Sequence, residues 1–163
     1  MYKKGFLNLF GEHKKEIKNI SINADYIDIS KIAKIYGLSI LNENDYKERF
    51  SLASKIGNII LKENGILFEI KSEDDFSEIK KEMNITCCNK FAADLIMPRQ
   101  LIIKVLKDVI AEKGLFNRKV LYDEEIEKIT KIAADRLKVT YIALNFKMNN
   151  LGILNKKGEL WIF

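Results

Sequence analysis

Histidine occurs once in the 163 residues, at His13. A single imidazole excludes any site that needs two histidine ligands from this chain, the H-E-x-x-H type included. A Ser-His-Asp or Cys-His arrangement would have only His13 to use, and that residue lies in a polar N-terminal stretch that reads as a solvated helix. The two cysteines, Cys87 and Cys88, are adjacent. That excludes a disulfide framework and points to a thiol-keeping cytoplasmic setting. Neighbouring side chains on a helix diverge by ~100°, so the pair cannot chelate as C-x-x-C does, and both read as small buried hydrophobes. Proline also occurs once, at Pro98, and marks one sharp helix boundary. No apolar run reaches the ~18 residues that a membrane span requires, so no membrane partner is expected. The N-terminus, MYKKGFLNLFGEHKK, has neither a sustained apolar run nor a small-residue cleavage site, which argues against a secretory signal. There is no glycine-rich phosphate loop.

Hydrophobic residues make up 47% of the chain, enough for a sizeable core and too many for general disorder. The formal net charge is +5 and the pI is ≈ 9.0. This mild basicity permits an acidic protein or nucleic acid as partner but demands neither, because the charges are interspersed and read as solvated faces. Glu43, Asp45 and Glu48, and later Asp74, Asp75 and Glu78, are carboxylate groupings placed at helix starts, where they offset the macrodipole.

The periodicity predicts a first helix over residues 3–19 and a second over Asp28–Tyr36, stopped by Gly37. Leu38–Leu41 reads as a short strand. Glu48–Lys62, ERFSLASKIGNIILK, is the most regular stretch. Phe50, Leu52, Ala53, Ile56, Ile59 and Ile60 fall on one helical face, Asp45 and Glu48 give a start signal, and Gly65 follows the end. Ile66–Ile70 reads as a strand. A short helix from Ser72 to Met83 and another over Cys87–Met97, capped by Thr86, come next. Pro98 suits the first turn of a helix over Arg99–Lys113. Asp123 is expected to cap a helix to Leu137, and Thr140 one to Asn149. Two apolar runs around Lys156-Lys157-Gly158 then read as a terminal β-hairpin.

Three segments in order carry a family resemblance. ISKIAKIYGLSI is followed by NENDYKERFSLASKIGNIIL, and later by Asn89-Lys90-Phe91-Ala92-Ala93-Asp94-Leu95-Ile96-Met97-Pro98. Together they resemble the ImmA/IrrE family of zinc metallopeptidases, which are bacterial and mobile-element proteins paired with a helix-turn-helix repressor that they cleave. Arg49, Phe50, Ala53 and Gly57 match its R-F-T-x-A-H-E-x-G-H helix, and the third segment matches its A-N-x-F-A-x-x-L-L-M-P stretch. VTYIALNFKMNNLGIL resembles the family's end segment. Ser54, Lys55 and Asn58 stand where His, Glu and His belong. Ile85 stands where the resemblance implies the glutamate ligand. The resemblance therefore implies a scaffold that has lost its metal and its general base together, with no cofactor and no catalysis. Ser54 and Lys55 do not replace that chemistry as a nucleophile pair, because i and i+1 point apart on a helix.

The expected fold is α+β and mostly helical: a zincin-like scaffold with a small, trimmed sheet. Residues 1–118 form the degenerate core, and 119–163 form a helix-turn-helix-like unit with a hairpin, packed on the core. The leading expectation is a cytoplasmic, non-enzymatic regulator or inhibitor from a phage or other mobile element. It would bind a host or mobile-element protein, either a repressor or a defence nuclease. The alternative is a DNA-binding regulator in which Thr140, Tyr141, Asn145 and Lys147 approach bases while Lys156 and Lys157 meet phosphate. A third reading is a peptidase with a rebuilt site. Oligomeric state is left open.

Overall fold

Asp45 sets the start of the central helix. In the computed structural model its carboxylate accepts the backbone N–H of Lys47 at 2.8 Å and of Glu48 at 3.2 Å, satisfying two otherwise orphaned donors. The structure describes residues 2–20, 25–39, 42, 44–71, 76–115 and 121–154. Within them, helices run at α1 Lys4–Asn8, α2 Lys14–Ile20, α3 Ile29–Ile35, α4 Tyr46–Glu63, α5 Ser77–Ile96, α6 Arg99–Glu112, α7 Asp123–Leu137 and α8 Tyr141–Asn150. A 3₁₀ turn over Gly11–His13 joins α1 to α2. The chain is thus mostly helical.

α4 and α5 form the main pair, α3 packs on α4, and α6, α7 and α8 follow one another in sequence and in space. One hydrophobic cluster extends from Leu7 to Leu154. α4 buries Leu52, Ala53, Ile56, Gly57, Ile60 and Leu61 into it, the face expected from the 3.6-residue period. Gly57 permits the close approach of α5. A Cβ there would lie 2.8 Å from Cδ1 of Phe91, closer than van der Waals contact allows. Phe91 also stacks with Phe6 at 5.0 Å and Phe10 at 5.8 Å, so the N-terminal helix docks against the same ring. The Tyr2 hydroxyl donates to the Leu95 carbonyl at 2.7 Å.

Arg49 ties the halves of the chain together. It is only 2% exposed. Its Nη2 donates to the Ile27 carbonyl at 2.9 Å and its Nε to the Lys138 carbonyl at 3.3 Å. The guanidinium lies 5.3 Å from the Tyr26 ring centre. Lys138 turns the chain from α7 to α8 with φ +54°, a left-handed conformation that costs an L-residue roughly 1 kcal/mol. Its ammonium sits 4.1 Å from the other partner of that turn, the Tyr26 ring.

Several expected elements differ. The first helix does not run unbroken over residues 3–19. Gly11, at φ +53°, breaks it and lets Phe10 turn into the core. α5 is one helix of 20 residues, not two with Thr86 as a cap. The Thr86 hydroxyl donates back to the Glu82 carbonyl at 2.9 Å, so it bonds within the helix instead of starting one. Pro98 is the residue before α6, at φ −64° and ψ 140°, not its first helical residue. Tyr122, not Asp123, precedes α7, and the Glu125 carboxylate accepts the Tyr122 N–H at 3.0 Å. Ile66–Ile70 is not a ladder strand. Its Phe68 N–H and C=O are bonded by the Asn84 side chain at 2.9 and 3.0 Å, so an amide takes the place of a neighbouring strand. Leu38 and Ser39 are not in a strand either, and Leu38 N–H instead closes α3 on the Ala33 carbonyl at 2.9 Å. The small sheet therefore has no ladder among the described residues. Ile40 and Leu41, the domain boundary at 118/119 and the hairpin from residue 155 onward lie outside them.

Candidate functional site

α4 and α5 cross over Gly57 and Phe91, and the surface beside that crossing opens into a pocket of ≈ 490 Å³. Its described lining is Leu38, Ser54, Lys55, Asn58, Ile59, Asn84, Ile85 and Cys88. All four positions singled out from the sequence, Ser54, Lys55, Asn58 and Ile85, therefore meet at one place. Ser54 and Asn58 are one turn apart on α4, and Ile85 comes from the facing helix. Asn84 and Cys88 were not anticipated there. The one signal for them is their spacing from Ile85, since i−1 and i+3 of a helix flank the same groove.

Most polar groups of the pocket have partners within and around it, Asn84 on the Phe68 backbone among them. The Ser54 hydroxyl donates to Asn89 Oδ1 at 3.3 Å. The Cys88 thiol reaches Asn58 Oδ1 at 4.0 Å, a weak contact. Burial pushes the Cys88 thiol up, with a smaller contribution from the neighbouring Cys87, so it is held as the neutral, less nucleophilic form. Lys55 is exposed at the rim. Among the described residues the Ser54 hydroxyl has Asn89, an amide and not a base, as its hydrogen-bond partner.

The donor set does not suit the zinc ion that the family resemblance implies. A catalytic zinc takes imidazole, carboxylate or thiolate ligands. The described lining offers one buried neutral thiol, a hydroxyl, two amides and a cation. No group of three His, Cys, Asp or Glu side chains able to hold a metal occurs among the described residues. What the pocket can do is receive an apolar side chain against Leu38, Ile59 and Ile85.

α8 presents a different surface from the one expected of a base-reading helix. The Thr140 hydroxyl caps it by accepting the Ala143 N–H at 3.2 Å. Tyr141 lies under Lys131, whose Nζ is 5.8 Å from the ring centre. Asn145 accepts the Asn149 amide at 3.3 Å. Lys147 is turned inward and ion-paired to Asp94 of α5. The outer face instead carries Ile142 and Phe146, 78% and 68% exposed. The sequence did hold a signal for this pair, because apolar residues occur all round the helix, with Leu144 and Met148 already filling its buried side. Lys156 and Lys157 lie outside the described residues.

No helix among the described residues is long and apolar enough to cross a membrane. No protein-family model, curated protein or solved structure matches the chain.

Proposed function

We propose that the protein is a degenerate peptidase scaffold of the ImmA/IrrE type that acts by binding another protein, as a regulator or inhibitor of phage or mobile-element origin. The observation that carries the reading is the pocket between α4 and α5. Four positions assigned from sequence resemblance alone converge there, and their side chains are a hydroxyl, a cation, an amide and a hydrocarbon. A groove of that shape with such a lining favours binding over bond cleavage. The partner is a repressor, following the family relation, or a defence nuclease, following the mobile-element setting.

The exposed Ile142 and Phe146 support the same reading, since large apolar side chains left in water mark protein contact sites more often than nucleic-acid faces. They weigh against base reading by α8, as does the commitment of Lys147 to Asp94.

The test is affinity purification of the tagged full chain from its native cells, with and without nuclease, read by mass spectrometry. One protein retained after nuclease treatment, and lost when Ile85→Asp or Ile142→Asp is introduced, is the expected result. Recovery that depends on nucleic acid would overturn the reading. So would a peptidase activity that a chelator abolishes.

A further inference from the structure

The stretches of α4 and α5 that flank their shared pocket carry no carboxylate. From Ser51 to Lys62 and from Met83 to Ala93 there is no Asp or Glu, although the chain has 23 in all. Lys55, Lys62 and Lys90 are exposed in these stretches. Lys62 follows Lys55 by seven residues, two turns along the same side of α4. Lys55 lines the pocket, and among the described residues it has no ion-pair or hydrogen-bond partner.

The amides beside it add donors. Asn58 Oδ1 is engaged by the Cys88 thiol, and Asn89 Oδ1 by the Ser54 hydroxyl. Each of these side chains keeps its NH₂ group, with no acceptor for it among the described residues. Asn84 spends both ends of its amide on Phe68. The groups left to recognise a partner are therefore an ammonium and two amide donors, and the walls themselves supply no anion to meet them.

The rest of the pocket is apolar. Leu38, Ile59 and Ile85 line it, and Ile85 is 60% exposed, so this wall has water to shed. Its volume of ≈ 490 Å³ lies within the roughly 300–1,000 Å³ of binding clefts. Ile59 stands one turn after Lys55, which sets their Cβ atoms about 6 Å apart. The cation and the apolar wall are thus spaced to meet two side chains that lie one helical turn apart on a partner.

Resting on the protein-binding reading above, we propose that this groove docks a helical segment of another protein that carries a large apolar side chain and, three or four positions away, an aspartate or glutamate. The apolar side chain lies against Leu38, Ile59 and Ile85. The carboxylate accepts from Lys55 and from the Asn58 and Asn89 amides, in charge-assisted bonds stronger than neutral ones. A nucleic-acid phosphate would satisfy the same donors but leave the apolar wall in water, so the lining favours a peptide.

Selection from a random-peptide phage library against the immobilised full chain, followed by fluorescence anisotropy of the enriched peptides, tests the assignment. The expected peptides share Leu, Ile, Met or Phe with an acidic residue three or four positions away. Lys55→Glu should weaken them by roughly tenfold. Replacing the peptide's acid with lysine should restore binding to that variant and not to wild type. Ile85→Asp should abolish binding with an unchanged helical circular dichroism signal, since both Lys55 and Ile85 are exposed. No enriched peptide, enriched peptides without the acid, or binding indifferent to Lys55→Glu would overturn the proposal. So would displacement of the peptides by random-sequence duplex DNA. A native partner retained equally by Lys55→Glu and Ile85→Asp would also overturn it, while leaving the protein-binding reading intact.

Discussion

Replacing Arg49 with methionine keeps most of the side-chain volume and removes every donor. The buried Ile27 carbonyl and the part-buried Lys138 carbonyl then lose the N–H groups now at 2.9 and 3.3 Å. A hydrogen bond to a charged donor contributes about 1.5–3 kcal/mol, and the longer bond here belongs at the low end. An unsatisfied buried acceptor costs a comparable amount. Relief from burying a cation works the other way, since an apolar replacement of similar shape no longer has to be desolvated as a charge. The balance is a loss of about 3 kcal/mol, a large share of the 5–15 kcal/mol typical of a domain. At about 2–4 °C per kcal/mol for a chain of this length, the melting midpoint should fall by about 6–12 °C. Urea unfolding of wild type and Arg49→Met, followed by circular dichroism, checks this. A lower midpoint at unchanged slope is expected. A loss below about 1 kcal/mol would refute the idea that this side chain joins α3, α4 and the α7–α8 turn.

Gly57→Ala should destabilise by about 1–3 kcal/mol, because the new methyl lies 2.8 Å from Phe91 Cδ1, and Phe91→Leu in the same chain should recover part of the loss in a double-mutant cycle. Thr140→Ala should cost about 1 kcal/mol in thermal unfolding by removing the cap on the Ala143 N–H. Asn84→Ala should leave the core intact but raise amide hydrogen exchange at Phe68, whose N–H it now holds at 2.9 Å. Asp28 gives a pH prediction. Partial burial pushes its carboxyl up, but the hydrogen bonds and charge of Lys31, with the charge of Arg49, outweigh that and hold it below the usual range. A carboxyl depressed on folding contributes stability that is present above its unfolded value of about 3.9 and lost as pH falls through the folded one. Asp28→Asn should therefore flatten the acid side of a stability–pH curve below about pH 4 relative to wild type.

The helices that the sequence disclosed best are those with both a period and punctuation. α4 has Asp45 before it and Gly65 after it, and α6 is bounded by Pro98 and Gly114. α5 was divided because Thr86 is a good cap in isolation, and only the continuous helix shows its hydroxyl spent on Glu82. The residue types over Ile66–Ile70 suit a strand, but no ladder forms there. Residue type says nothing about what pairs with the backbone, and here the partner is a side chain 16 positions away. Helical spacing alone sets Ser54 and Asn58 on one face of α4, and Ile85 lines the same pocket from α5. The fate of Lys147 was not legible. Its partner Asp94 is 53 residues distant, and a cation on a short helix reads the same whether it faces solvent or a carboxylate.

The aromatic group around Phe91 has a consequence for the order of events during synthesis. Phe6 and Phe10 are made well before the ring they stack on, which lies 5.0 and 5.8 Å away in a helix made later. At the usual 5–20 residues per second, on the order of 4–17 s separate the appearance of Phe6 from that of Phe91. Throughout that interval the nascent chain carries Tyr2, Phe6 and Phe10 without the α5 surface that covers them. Chaperone capture of ribosome-bound chains should accordingly peak before α5 is complete and decline once Phe91 has been delivered.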